Sequence, residues 1–280
     1  MNKFLFSILL LASGCDTGNL KLIADLPNDL KEVSGTETIV NSDLIWMLND
    51  SGNKPKIYGL DDKGTIIKEL KIDAKNHDWE DLASDTKGNL YIGDFGNNLS
   101  DRKNLAILKV KASDLNNDSK VSIERISFRY PNQTKIPSKK KNRYFDCEAF
   151  FHFNDSLYLF TKSRVKGNFG KIDLYKIPAT KGQHDAQFIS TFKTCDDLHC
   201  WITSADISSD GKKVVLLNHK SALLFTNYKG DDFLNGMVTE LPLDHQSQKE
   251  GVCFKNNSTL YITDEQSHGT GGNLYEFKLN

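Results

Sequence analysis

Sustained helical periodicity is missing from this 280-residue sequence. No stretch repeats its apolar residues at three- and four-residue spacing over the length of a helix. What remains is short apolar runs bounded by Gly, Asn, Asp and Ser, the pattern of an all-β protein. An excess of basic charge is missing too. Lys and Arg number 36 against 37 Asp and Glu, a formal net charge of −1, which argues against a nucleic-acid binder. The one basic run, Lys139-Lys140-Lys141 with Arg143, falls in a predicted loop and reads as a solvated face or a docking patch. Familiar catalytic signatures are also absent: no Gly-x-Ser-x-Gly elbow, no His-Glu-x-x-His helix and no phosphate-cradling glycine loop. Gly269–Gly272 is a glycine-rich turn before the last strand.

No apolar run is long enough to span a bilayer. Phe4–Ala12, after Lys3, has the length of a signal-peptide core. Ala12-Ser13-Gly14-Cys15 resembles a bacterial lipobox, with Ala12 where Leu is preferred. The resemblance implies a signal peptide over residues 1–14 and diacylglycerol on Cys15, with 15–19 a short tether. Two or three acyl chains would anchor the protein stably in the cell envelope, at the outer membrane. The alternative is an ordinary secretory signal with a free cysteine. Of the four later cysteines, Cys195 and Cys200 enclose four residues and suit a small disulfide loop. A zinc site from this pair and His199 lacks a second ligand pair. Cys147 and Cys253 lie in apolar strands and read as buried thiols.

A unit of acidic start, strand, turn, strand and polar tip recurs along residues 20–280. The starts are Glu32, Glu80, Glu148, Asp206 and Glu250, and the steps between them match the period of a propeller or array. The fifth unit lacks a fourth strand, while Leu20–Leu26 is a strand without a unit. Pairing the two closes a ring and removes exposed edges. We therefore expect a single five-bladed β-propeller domain, a monomer. A six-bladed ring with a degenerate blade within 100–145 is the alternative.

In a blade, the innermost strand begins on the face where the second strand ends. The acidic starts should thus meet the tips Asn49, Asp50, Asp94, Asn97, Lys162, Arg164, His219, Asp264 and Glu265 at one channel mouth. Five carboxylates (Glu32, Glu80, Glu148, Asp206 and Glu250) around one axis repel unless compensated. Calcium, with six to eight oxygen ligands, would compensate them. Backbone N–H groups, Lys162 and Arg164, or raised carboxyl pKa values would also do so. The competing expectation is that each acid only fixes blade spacing. His77 is a general base or a solvated loop histidine; Trp79 packs between blades or stacks on a sugar.

Glu32-Val33-Ser34-Gly35, Asn49-Asp50, Asp78-Trp79-Glu80-Asp81-Leu82-Ala83, and Glu250-Gly251-Val252 followed by Ile262-Thr263-Asp264-Glu265 resemble the SdiA-regulated family of propellers. They also resemble exported propeller lipoproteins of Bacteroidetes-type bacteria. The resemblance implies a cell-envelope propeller with bound calcium. A more distant similarity to gluconolactonase-type propellers implies a channel metal that hydrolyses lactones. Glu32 would match one of their ligands; their Asn and Asp ligands are not placed on this sequence. The expected function is an envelope-anchored module binding a divalent cation and a small-molecule or protein ligand. A metal-dependent lactonase or phosphoesterase, and a protein-interaction scaffold, are the alternatives.

Overall fold

Local chemistry sets the hairpins. Asp61 Oδ1 accepts the Lys63 and Thr65 N–H groups, and Asp85 Oδ1 accepts those of Lys87 and Asn89. Gly64 and Gly88 follow at φ +78° and +79°, where a side chain would strain the backbone. Two Asp-x-Lys-Gly segments thereby make the same turn in different blades.

The computed structural model describes residues 16–117, 120–267 and 269–279. The signal peptide expected over residues 1–14, and Cys15, lie outside these residues. Strand β1 (Lys21–Asp25) comes first. Blade one contains β2 (Val33–Thr38), β3 (Ile45–Asn49), β4 (Lys56–Leu60) and β5 (Ile66–Lys71). Blade two contains β6 (Trp79–Ser84), β7 (Leu90–Asp94), β8 (Ala106–Val110) and β9 (Glu124–Arg129). Blade three has β10 (Asp146–Phe153), β11 (Ser156–Lys162), β12 (Lys171–Pro178) and β14 (Gln187–Lys193); β13 (Gly182–Asp185) leaves it to pair in parallel with β9 of blade two. Blade four has β15 (Ile202–Ile207), β16 (Lys213–Asn218), β17 (Ser221–Thr226) and β18 (Met237–Pro242). Blade five has β19 (Lys249–Asn256), β20 (Thr259–Asp264) and β21 (Asn273–Lys278), and β1 is its outermost strand.

The fold is thus a five-bladed β-propeller closed by its N-terminal strand, with Lys21 opposite Glu276 and Asp25 opposite Asn273. Among the described residues of 100–145 there is no sixth blade. That segment carries the outer half of blade two, with 3₁₀ turns at Ala112–Asp114 and Lys140–Asn142. No helix among the described residues is long and apolar enough to cross a membrane.

Five apolar clusters seal the ring, each shared by neighbouring blades. Trp79 packs with Trp46, Leu48 and Ile57 between blades one and two, the structural role expected for it. Phe95 meets Phe150 edge-on at 5.2 Å between blades two and three. Phe151, Phe225 and Phe233 join blades three and four. Val215 and Leu217 meet Val252 and Ile262 between four and five, and Met47 meets Cys253 and Leu274 between five and one. Burying each large side chain contributes roughly 1.5–3 kcal/mol.

Every innermost strand carries an irregularity near its start. The register slips between Val33 and Gly35, Trp79 and Leu82, Cys147 and Ala149, Ile202 and Ser204, and Lys249 and Gly251. The inserted residues are Ser34, Glu80 with Asp81, Glu148, Thr203 and Glu250. A bulge of this kind re-aims a side chain at the rim of a sheet. It supplies the true alignment of the blades.

Candidate functional site at the channel mouth

Aligning the bulges corrects two acidic starts. The counterpart of Glu80, Glu148 and Glu250 in blade one is Ser34, two residues after Glu32; in blade four it is Thr203. Asp206 lies three residues further along β15, about 10 Å away at the extended rise. It faces the opposite opening of the channel, in a basin it shares with Glu37. Asp206 therefore does not belong to the ring. Its oxygens accept the Ile207 and Phe254 N–H groups at 2.7 and 2.6 Å, and burial pushes its carboxyl up to about 7.

At the mouth, a cavity of about 170 Å³ is lined by seven carboxylates: Glu32, Asp50, Asp78, Glu80, Glu148, Glu250 and Glu265. Two cations face them, Lys162 and Arg164. Lys162 Nζ lies 2.8 Å from Glu148 Oε2; Arg164 reaches Asp146 Oδ2 at 2.5 Å and Glu148 Oε1 at 3.4 Å. Both stand over the Trp201 ring, at 5.1 and 4.5 Å, and Trp201 Nε1 donates to the Ser163 carbonyl at 2.8 Å. Blade four thus supports the cations of blade three. Burial acts against the Lys162 charge, but Glu148 together with Asp146 and Glu250 outweighs it and raises the ammonium pKa.

The other carboxylates carry surplus negative charge. Burial, then Glu32 and Glu265, pushes Asp50 up to about 7. Burial, then Glu250 and Glu32, pushes Glu265 up to about 7. Burial holds Glu148 at about 8 despite Lys162, and burial with Glu148 beside it lifts Glu80 well above the carboxylate range. Gly96 makes room for this crowding, since a Cβ there would lie 2.0 Å from Glu80 Oε1 and 2.5 Å from Asp78 Oδ2.

Several predicted tips do not reach the mouth cavity. Asn49 Nδ2 donates to the Asp29 carbonyl at 2.7 Å. Asp94, fully buried, accepts Arg102 at 2.8 Å and faces His77 Nδ1 at 2.9 Å, which gives His77 a fixed partner. Asn97 Oδ1 accepts the Asp101 and Arg102 N–H groups. Asp264 accepts Ser247, Tyr275 and the Asn273 N–H. These side chains shape the loops and do not line the cavity, because a tip must satisfy its own turn before it can face solvent. His219 lines a second cavity, of about 350 Å³, with Glu265 common to both, and its Nε2 is 3.5 Å from Glu250 Oε1. Cys195 and Cys200 form a disulfide, Cα–Cα 5.9 Å, which removes both sulfurs from any zinc site. Cys147 and Cys253 are buried thiols.

Sequence reasoning left Asp78 and Asn98 out of the mouth set, although both flank residues it chose. It also missed Asp81, on the wall of the central channel. Asp81 accepts Leu82 N, Phe150 N, Ser204 Oγ and Ala205 N at 2.9–3.3 Å, linking blades two, three and four. Only the double insertion at Glu80-Asp81 signals it. Among the described residues, no group of three or more His, Cys, Asp or Glu side chains is assembled to hold a metal ion. The donors are nevertheless all oxygen, with Ser51 and Asn98 neutral among them, a set that suits a hard cation.

The fold and rim together define the class: a closed β-propeller with an acidic channel mouth. No protein-family model matches the chain, and no curated protein matches it. Solved structures do. A candidate gluconolactonase from a structural-genomics consortium superposes with TM-score 0.50 at 8% identity, covering 94% of this chain and 92% of that one. A gluconolactonase from Xanthomonas campestris gives 0.48 at 10% identity, covering 89% and 72%. An inactive virginiamycin B lyase variant from Staphylococcus aureus gives 0.44 at 16%, covering 91% and 69%. At these identities the likeness speaks for the propeller fold alone.

Proposed function

We propose that this is a cell-envelope lipoprotein, anchored through Cys15, whose propeller binds a divalent cation, calcium, and through it a ligand at the channel mouth. One observation carries the reading: seven carboxylates face two cations around a small cavity, and burial pushes Asp50, Glu80, Glu148 and Glu265 above the usual carboxylate range. A hard cation relieves that repulsion better than protons at neutral pH. Lys162 and Arg164 engage Glu148, and His219 faces Glu250, so Glu32, Asp50, Asp78, Glu80 and Glu265 are the groups left for the ion. The side chains would draw together on binding. The motif resemblance to the SdiA-regulated propellers favours the same reading. The test is metal content by mass spectrometry, with melting curves in calcium and in chelator. We expect about one calcium per chain and a melting temperature that falls in chelator, with both effects lost in Asp50→Asn/Glu80→Gln. A metal-free protein with no thermal shift would refute the cation site and leave the acidic rim as scaffolding.

A second reading is a metal-dependent hydrolase of lactones or phosphoesters, in which the ion would polarise the scissile bond or activate water. The gluconolactonase names among the structural neighbours motivate it. It predicts turnover of such substrates by calcium-loaded protein, abolished by Glu80→Gln. Metal-loaded protein inert on that panel would leave binding alone.

A further inference from the structure

Beside the mouth, the 350 Å³ cavity exposes a hydroxyl held between a buried ammonium and a buried carboxylate. Lys249 and Asp264 stand opposite each other where β19 pairs with β20, and both are fully buried. They do not meet directly. Lys249 Nζ donates to Ser247 Oγ and lies 3.0 Å from His245 Nδ1 and 3.2 Å from the His245 carbonyl. Ser247 Oγ in turn donates to Asp264 Oδ2 at 2.5 Å. Asp264 is oriented by Tyr275 Oη on Oδ2 and by the Asn273 N–H on Oδ1, both at 2.9 Å. Ser247 is half-buried and lines the cavity with His199, His219 and Lys220.

A buried pair built only for stability gains most from direct contact. Here a side chain open to a cavity is interposed. Its proton already points at a carboxylate, and its oxygen already faces a positive charge. Those are the two requirements for an activated nucleophile. We propose that Ser247 is a nucleophile toward small carboxylic esters, with Asp264 as its base. Ser247 Oγ bonds to the acyl carbon as its proton passes to Asp264 Oδ2, and Lys249 stabilises the negative charge developing on Oγ. The carbonyl oxygen becomes an oxyanion, for which His219 and Lys220 are the donors on the cavity wall. Collapse breaks the bond to the alcohol oxygen, which leaves with the proton from Asp264. Water then attacks the acyl-serine and gives its proton to Asp264. Ser247 departs from the acyl carbon, recovers that proton, and the carboxylic acid is released. No metal takes part, so the activity is separable from cation binding at the mouth.

The test is labelling of the native protein by a fluorophosphonate probe in the presence of chelator, with the adduct located by peptide mass spectrometry. We expect one adduct, on Ser247, that vanishes when the protein is heat-unfolded before labelling. Ser247→Ala should take up none, and Asp264→Asn should react on the order of 100-fold more slowly, the usual worth of a positioned base. p-Nitrophenyl acetate hydrolysis should fall in parallel. Folded wild-type protein that carries no adduct on Ser247, or labels there no faster than unfolded protein, overturns the proposal. That outcome is read on the wild type and does not depend on how the variants fold.

Discussion

Asp81→Ala should be among the most damaging substitutions in the chain. The carboxylate is fully buried and serves four donors: Leu82 N in its own strand, Phe150 N in blade three, and Ser204 Oγ and Ala205 N in blade four. Ser204 keeps a partner after the change, because its hydroxyl can also donate to the Val252 carbonyl, at 3.5 Å. Three backbone N–H groups then lose their acceptor inside the ring. Each such loss costs about 1–3 kcal/mol. Burial raises the Asp81 carboxyl pKa, so removing the charge recovers part of that sum. The net loss should be about 3–5 kcal/mol, or roughly 6–10 °C in melting temperature for a domain of this size. Asp81→Asn keeps one acceptor oxygen but turns an amide donor toward the others, and should cost about half as much. Chemical and thermal unfolding followed by circular dichroism would measure both. An Asp81→Ala protein within about 1 kcal/mol of wild type would refute the idea that this carboxylate ties three blades together.

Stability should rise on acidification from about pH 8.5 to 6.5. Asp50, Asp206 and Glu265 titrate at about 7 and Glu148 at about 8 in the folded state, against about 4 unfolded. The native state therefore holds more protons across that window, and its stability falls as pH rises through it. Burial holds His152 and His245 below the usual imidazole range, so these two side chains oppose the trend on further acidification and make it shallower without reversing it. Melting temperatures that are flat, or that climb toward pH 8.5, would contradict the burial of these acids. Replacing Cys195 and Cys200 by serine opens a short loop and should cost about 2 kcal/mol on chain-entropy grounds, read by urea unfolding. Deleting Lys21–Asp25 strips the outer partner from Asn273–Lys278 and leaves an unpaired edge; we expect loss of cooperative melting and oligomers by light scattering. A monomeric, normally melting deletion protein would show that β1 is dispensable for closure.

Much of the architecture is local and was therefore readable along the chain. Alternation of apolar residues marked the strands, Asp-x-Lys-Gly marked the turns, and an unpaired strand at one end with a short blade at the other implied closure. One departure was β13, four largely exposed residues that carry no apolar signal and cross to the neighbouring blade. The mouth was legible in part, because strand starts and strand tips share a face by topology. Its membership was not. A bulge shifts a strand by one residue, and one residue exchanges the channel side for the packed side. That slip placed Ser34 and Thr203 where acids were expected, and sent Asp206 to the far opening. Pairing across blades was likewise hidden. Asp81 with Ala205, Trp201 with Arg164 and Asn97 with Phe145 are far apart or unrelated in sequence. Composition and periodicity alone determined that this chain would make strands, turn them every few residues and close a ring. Only the tertiary structure decided which polar side chains the ring spends on its own backbone and which it leaves facing the channel. Hydrogen-bond satisfaction is a property of neighbours in space, and the sequence orders neighbours along the chain.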